Sequence, residues 1–119
     1  MADFNVNLRG VGSVSVIDVN GYLDAHTAPE LENVFNKLLN DKHYKVVVNF
    51  NDLKYISSAG LGVFMAYVET MRENRGDIKF SNMKENVYNI FDLLGFPILY
   101  EFYKDENEAI QKFSELSQS

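Results

Sequence analysis

His43-Tyr44-Lys45-Val46-Val47-Val48-Asn49-Phe50 runs directly into Asn51-Asp52-Leu53-Lys54-Tyr55-Ile56-Ser57-Ser58-Ala59-Gly60-Leu61-Gly62, and the reading of this stretch decides the fold. Val46-Val47-Val48 does not alternate with polar residues, as expected of a strand covered on both faces in a parallel sheet. An Asn-Asp turn opens a connector from Asn51 to Ser57, and two hydroxyls followed by small residues mark a helix start. Leu61, Phe64, Met65, Val68 and Met71 then recur at helical spacing, with an end near Arg75-Gly76. A strand that enters a helix through a loop is the first half of a β-α-β unit.

The pattern extends in both directions. Downstream, Ile78 and Phe80 alternate as a short strand, and Val87, Ile90, Phe91 and Leu94 form a third helix stopped by Gly95 and Pro97. Ile98 to Tyr103 reads as a further strand, and Ala109, Ile110, Phe113 and Leu116 as a closing helix whose tail is expected to fray after Leu116. Upstream, a helix begins with Thr27 as N-cap, Pro29 in the first turn and Glu30 placed to reach back to the cap. Its apolar stripe is Leu31, Val34, Phe35, Leu38 and Leu39. Before it, Phe4, Val6 and Leu8 alternate, as do Val14 and Val16 after a Gly10-Val11-Gly12 turn, which predicts an antiparallel edge hairpin. Alternation slips at Val16-Ile17 and resumes at Val19.

This order predicts an α/β fold: a mostly parallel sheet of four to five strands with an N-terminal antiparallel hairpin, right-handed crossovers and about four helices packed against it. With no internal repeat, low-complexity tract or linker, residues 1–119 are expected to form a single domain. The chain has 46% hydrophobic and 13% aromatic residues, enough for a continuous core and unlike a disordered composition.

Composition also removes several functions. There is no cysteine, which excludes disulfide frameworks and thiolate chemistry. A net charge of −6 with 11 scattered basic residues argues against a nucleic-acid partner, whose phosphates call for clustered Lys and Arg. The segment Met1-Ala2-Asp3-Phe4-Asn5 lacks the basic and apolar runs of a signal peptide, and no stretch approaches the length of a membrane span, so a cytoplasmic protein without membrane insertion is expected. Two histidines without ligand spacing predict no metal, and no cofactor is expected. Ala59-Gly60-Leu61-Gly62 lacks the Lys-Ser/Thr of a phosphate-binding loop, which leaves only weak nucleotide binding open.

In an open parallel sheet, function gathers in loops at the carboxyl ends of strands. Two such loops are expected on one rim: Asn20 to Thr27, and Asn51 to Gly62. Ser57 or Ser58 can cap the helix, while Ala59, Gly60 and Gly62 leave its first turn bare enough for close approach. The plain alternative is capping and tight helix–sheet packing alone. His26 beside Asp24 invites a serine-hydrolase reading, but Ile56-Ser57-Ser58-Ala59-Gly60 lacks the Gly-x-Ser-x-Gly elbow. His43 reads as a surface residue. Asp105, Glu106 and Glu108 load the start of the last helix with favourable charge, and Phe96 and the Met65–Met71 face are candidate apolar anchors for a partner.

Taken together, Asp52-Leu53-x-Tyr55-Ile56-Ser57-Ser58-Ala59-Gly60-Leu61-Gly62 and Gly21-x-Leu23-Asp24-x-x-Thr27 resemble the anti-sigma factor antagonists, the bacterial STAS domains, and the resemblance covers essentially the whole chain. It implies a partner-switching regulator of transcription rather than an enzyme. Its phosphoacceptor serine falls on Ser58, two residues before the Gly-x-Gly equivalent, with Asp24 at the acidic position beside it. Asp24, Thr27, Ser57, Ala59, Gly60, Leu61 and Gly62 are the implied partner-binding residues. The implied partners are an anti-sigma factor with serine kinase activity and a PP2C-type serine phosphatase. One position departs: family members often carry an acidic residue just before the acceptor, where this chain has Ser57, which makes Ser57 the alternative acceptor. The rival reading is a STAS subunit of a signalling or transport assembly in which Ser58 is only a cap.

Overall fold

A computed structural model describes residues 4–118 of the chain. The hairpin strands β1 (Phe4–Val11) and β2 (Val14–Leu23) pair antiparallel with Val11 opposite Val14, so the turn is Gly12-Ser13, with Gly12 at a φ of 61°. It lies one step beyond the expected Gly10-Val11-Gly12. After α1 (Ala28–Asn40) come β3 (Lys45–Asn49) and β4 (Leu53–Ile56), then α2 (Ser58–Glu73) and β5 (Asp77–Ser81). α3 (Glu85–Leu93), α4 (Phe96–Leu99), β6 (Phe102–Tyr103) and α5 (Glu106–Gln118) complete the described residues. The six strands lie in the order β1-β2-β3-β5-β6, with β4 also paired to β2, and every pairing except the hairpin is parallel.

Two segments differ from the sequence-based expectation. The connector Asn51–Ser57 contains β4: Leu53 and Ile56 are buried, and the strand takes over β3's place beside the far end of β2. Ile98–Tyr103 is not one strand. Gly95, at a φ of 79°, reverses the chain after α3, Pro97 sits in the first turn of a new helix, and the Tyr100 amide donates to the Phe96 carbonyl at 2.8 Å. Only Phe102–Tyr103 pairs, alongside Phe80–Ser81. The tail expected to fray after Leu116 is helical as far as Gln118, and Ser119 lies outside the described residues.

The two faces of the sheet are covered differently. On one face α1 to α4 bury Leu31, Phe35, Leu61, Phe64, Val87, Phe91 and Phe96 against Ile17, Val19, Val46, Val48, Ile78 and Phe80. Phe80 meets Phe50 and Phe64 edge-on with centroids 5.2 Å away, and Phe91 at 5.5 Å. Each such pair adds about 1 kcal/mol beyond burial, so the ring cluster fixes α2 on the sheet. On the other face α5 alone packs Ala109 and Phe113 on Val14, Val16 and Val47. β2 is therefore buried on both sides at Val16-Ile17, which is why alternation fails there.

α5 is also held by charge. Arg9 donates to Asp18 at 2.7 and 2.9 Å and to Glu106 at 2.5 and 3.2 Å, and Asn49 donates to Glu106 at 3.0 Å. The Glu106 of the expected acidic helix start is thus a clamp across three strands. Lys79, fully buried between Ile78 and Phe80, reaches Glu101 at 2.9 Å and lies 4.8 Å from the Phe113 ring centroid. The Arg9 hydrogen bond holds the Glu106 carboxyl below its ordinary 4.5, and the Lys79 hydrogen bond does the same for Glu101. Both carboxyls bind protons more tightly when unfolded, so their stabilisation is present above pH 4.5 and is lost as pH falls through the lowered folded values. Urea titrations at about pH 7 and about pH 3 should show this loss. Glu106→Gln should cost about 1 kcal/mol at neutral pH, discounted for partial exposure, and flatten the acid limb; an unchanged limb would place the acid sensitivity elsewhere.

Candidate functional site

β2 and β4 finish side by side, and each turns into a helix. Leu23 is the register partner of Ile56, and the Ser57 amide donates to the Leu23 carbonyl at 2.9 Å. Asp24 and Ser57 therefore leave the sheet next to each other, and the amino ends of α1 and α2 share one rim. Gly21, at a φ of 92°, marks the irregularity at which β2 changes register, and its amide donates to the Asp52 carbonyl at 2.9 Å.

The first turn belongs to Asp24 rather than to a Thr27–Glu30 capping box. Asp24 Oδ1 accepts from the His26 amide at 2.9 Å and the Thr27 amide at 3.1 Å, and its carbonyl accepts from the Ala28 amide at 2.8 Å. Thr27 is the N-cap by position, but its side chain makes no cap hydrogen bond. Its hydroxyl points back into the turn, donating to the Tyr22 carbonyl at 2.8 Å and accepting from the Asp24 amide at 3.0 Å. Thr27 is buried, so it holds the loop shape from beneath the surface.

At α2 the two serines divide. Ser57 has an extended backbone, with φ −103° and ψ 173°, and its half-buried hydroxyl accepts from the Gly60 amide at 3.5 Å, a long cap bond. Ser58 is the first helical residue; it is exposed, and its hydroxyl makes no hydrogen bond among the described residues. The first turn of α2 contains no acidic residue, so its partial positive charge is unopposed there.

Gly60 and Leu61 are buried, whereas Ala59 is exposed and Gly62 half-buried. A Cβ at Gly60 would come within 2.7 Å of Leu23 Cγ and 3.1 Å of the Leu23 carbonyl, so this glycine lets α2 sit on the strand end. A Cβ at Gly62 would meet nothing within 4 Å. Sequence reading grouped the two glycines; the fold requires only the first.

Tyr22 and Tyr55, one residue before the paired strand ends, are exposed with ring centroids 6.3 Å apart, and were not singled out from the sequence. Their signal was the polar-tipped aromatic one residue before Leu23 and again before Ile56. Phe96, a candidate exposed anchor, is buried, as is Met71, while Met65 is exposed. The His26 ring makes no hydrogen bond to Ser58 among the described residues. Among those residues no group of three or more His, Asp or Glu could hold a metal ion, and no helix is long and apolar enough to cross a membrane.

The STAS domain family model matches residues 5–109. The chain belongs to the STAS domain family. This STAS chain is 30% identical over 79 residues to an anti-sigma-B factor antagonist of Staphylococcus epidermidis, covering 66% of the chain and 73% of that relative. Its fold matches an anti-sigma factor antagonist from Mycobacterium paratuberculosis with a TM-score of 0.86 at 20% identity, over 94% of this chain and 95% of that one. It also matches the Bacillus cell fate determinant SpoIIAA in its phosphorylated form, with a TM-score of 0.72 at 20% identity, over 91% and 98% of the two chains.

The two glycines yield a contrast measurable by urea unfolding. Gly60→Ala should destabilise by about 2 kcal/mol through overpacking against Leu23, whereas Gly62→Ala should stabilise by up to about 1 kcal/mol through helix propensity. Equal effects would remove the distinction.

Proposed function

We propose that this STAS domain is a phosphorylation-switched anti-sigma factor antagonist acting in the bacterial cytoplasm, and not an enzyme. Unmodified, it binds an anti-sigma factor that is also a serine kinase, and so releases a sigma factor. Phosphorylated on Ser58, it lets go, and a PP2C-type phosphatase resets it. The observation that carries this reading is the free, exposed Ser58 hydroxyl at the amino end of α2, beside a neighbour, Ser57, already occupied as cap.

Physical chemistry supports a switch that leaves the fold intact. A phosphoryl group brings about −1.5 to −2 charges and three strong acceptor oxygens, and a helix amino end tolerates them well. A partner resting on Ala59, the bare backbone at Gly62, and the Tyr22–Tyr55 pair would meet bulk and charge where there had been a small neutral hydroxyl. Asp24, on the adjoining strand end, adds like-sign repulsion. Thr27, Gly60 and Leu61 contribute by holding the rim in shape.

Incubation with the cognate kinase and ATP, followed by mass spectrometry, should label Ser58 and leave Ser58→Ala unlabelled. Ser57→Ala should keep the label while costing about 1 kcal/mol of stability as a lost cap. Label on neither serine ends the switch reading. Ser58→Asp should weaken anti-sigma factor binding at least about tenfold, some 1.4 kcal/mol; unchanged affinity would favour the subunit whose serine only caps.

A further inference from the structure

Beyond Ser58 the exposed side of α2 continues through Gly62, Met65, Glu69 and Arg72, spaced by four, three, four and three residues, which is one stripe along a helix. Its far half does not face open water alone. Met65, Val68, Glu69, Arg72 and Glu73 form one wall of a cleft of about 490 Å³, and Leu99 and Tyr100 form the other. Met65 is 57% and Leu99 55% exposed, and at the adjoining α3–α4 corner Leu93 is 86% and Ile98 88% exposed. So many bare aliphatic side chains within one corner mark a contact surface rather than ordinary scatter.

Arg72 links the two walls of the cleft, and the charge left unpaired on its rim is acidic. Arg72 donates to Asp77 at 2.8 Å and to the Leu99 carbonyl at 2.5 Å, and its guanidinium carbon lies 5.5 Å from the Tyr100 ring centroid. Its charge is thus taken up within the fold, and α4 is tied to α2. Glu69 and Glu73 are exposed and have no cation partner among the described residues. The rim is therefore acidic round an apolar floor.

We propose that this α2–α4 cleft is a second docking site, separate from Ser58, for an amphipathic helix of a protein partner that carries apolar anchors flanked by Lys or Arg. Two helices form the walls, so no strand edge is offered for pairing, and a helix laid in the groove is the mode that fits. Apolar anchors fill the space between Met65, Val68 and Leu99, while basic flanks neutralise Glu69 and Glu73. The same carboxylates repel an anionic lipid surface. A symmetric contact with a second copy would bring two acidic rims together. Met65 lies about 10 Å along α2 from Ser58 at the helical rise, so the site can be occupied whether or not that serine is modified.

The test uses the unmodified full chain and a fluorescent designed peptide of about 18 residues, with Leu at helical i, i+3, i+4 and i+7 positions and Lys elsewhere. Binding by anisotropy is expected, weakened at least about tenfold by Leu99→Gln and by the pair Glu69→Lys with Glu73→Lys, and weakened by salt. A peptide with Glu in place of Lys should not bind. Amide shifts should map to Met65–Glu73 and Leu99–Tyr100, and thermal melting should show that each variant still folds. Indifference to these variants, equal binding of the acidic peptide, or shifts confined to other elements would overturn the proposal. So would a dimer in sedimentation that Leu99→Gln dissolves, or binding to phosphatidylglycerol vesicles through this cleft. Loss of Ser58 phosphorylation leaves these readouts untouched, so the two proposals fail separately.

Discussion

The hydrogen bond from the Ser57 amide to the Leu23 carbonyl, 2.9 Å long, joins the two strand ends on which the rest of the rim is built. It exists because β2 is long enough to serve two parallel neighbours in turn, β3 along Ser15–Asp18 and β4 along Gly21–Leu23. Shifting β4 by one residue would turn Leu53 and Ile56 outward and carry α2 away from Asp24. The Gly60 contact with Leu23 depends on the same register. A single backbone pairing thus links strand geometry, helix placement and the position of two serines.

Behind the rim, the support is aromatic. Phe50 directly follows β3, Phe64 projects from α2, and both meet Phe80 on β5, with Phe91 of α3 closing the set. Edge-to-face rings hold orientation as well as area, which keeps α2 in one place on the sheet.

Most of the architecture was legible from the chain. Triple valine marked a strand covered twice, and the stripes beginning at Leu31 and Leu61 marked helices lying on a sheet. β4 escaped because only Leu53 and Ile56 are buried in it, three residues apart, which breaks the two-residue alternation of a strand and resembles helical spacing instead. Ile98–Tyr103 misled because its apolar, branched and aromatic residues favour a strand, whereas a left-handed Gly95 and an early Pro97 start a helical turn. At the site, the two serines and two glycines were visible as a group, but their separate tasks depend on the Ser57 backbone angle and on the distance to Leu23. Neither is encoded by residue type alone. The role of Asp24 as holder of the first turn was hidden by Thr27, a better-looking cap on sequence grounds.

The unequal covering of the sheet has a kinetic consequence. α1 to α4 are joined to it by a shared aromatic mass, whereas α5 rests on a smaller apolar patch together with the Arg9–Glu106 ion pair and the Lys79 ammonium against the Phe113 ring. Opening α5 exposes little oil and mainly rehydrates ions, so its backbone amides should trade hydrogen for deuterium through partial excursions that leave the opposite layer closed. The molecule then has a slow-exchanging side that carries the rim and a fast-exchanging side that breathes without disturbing it.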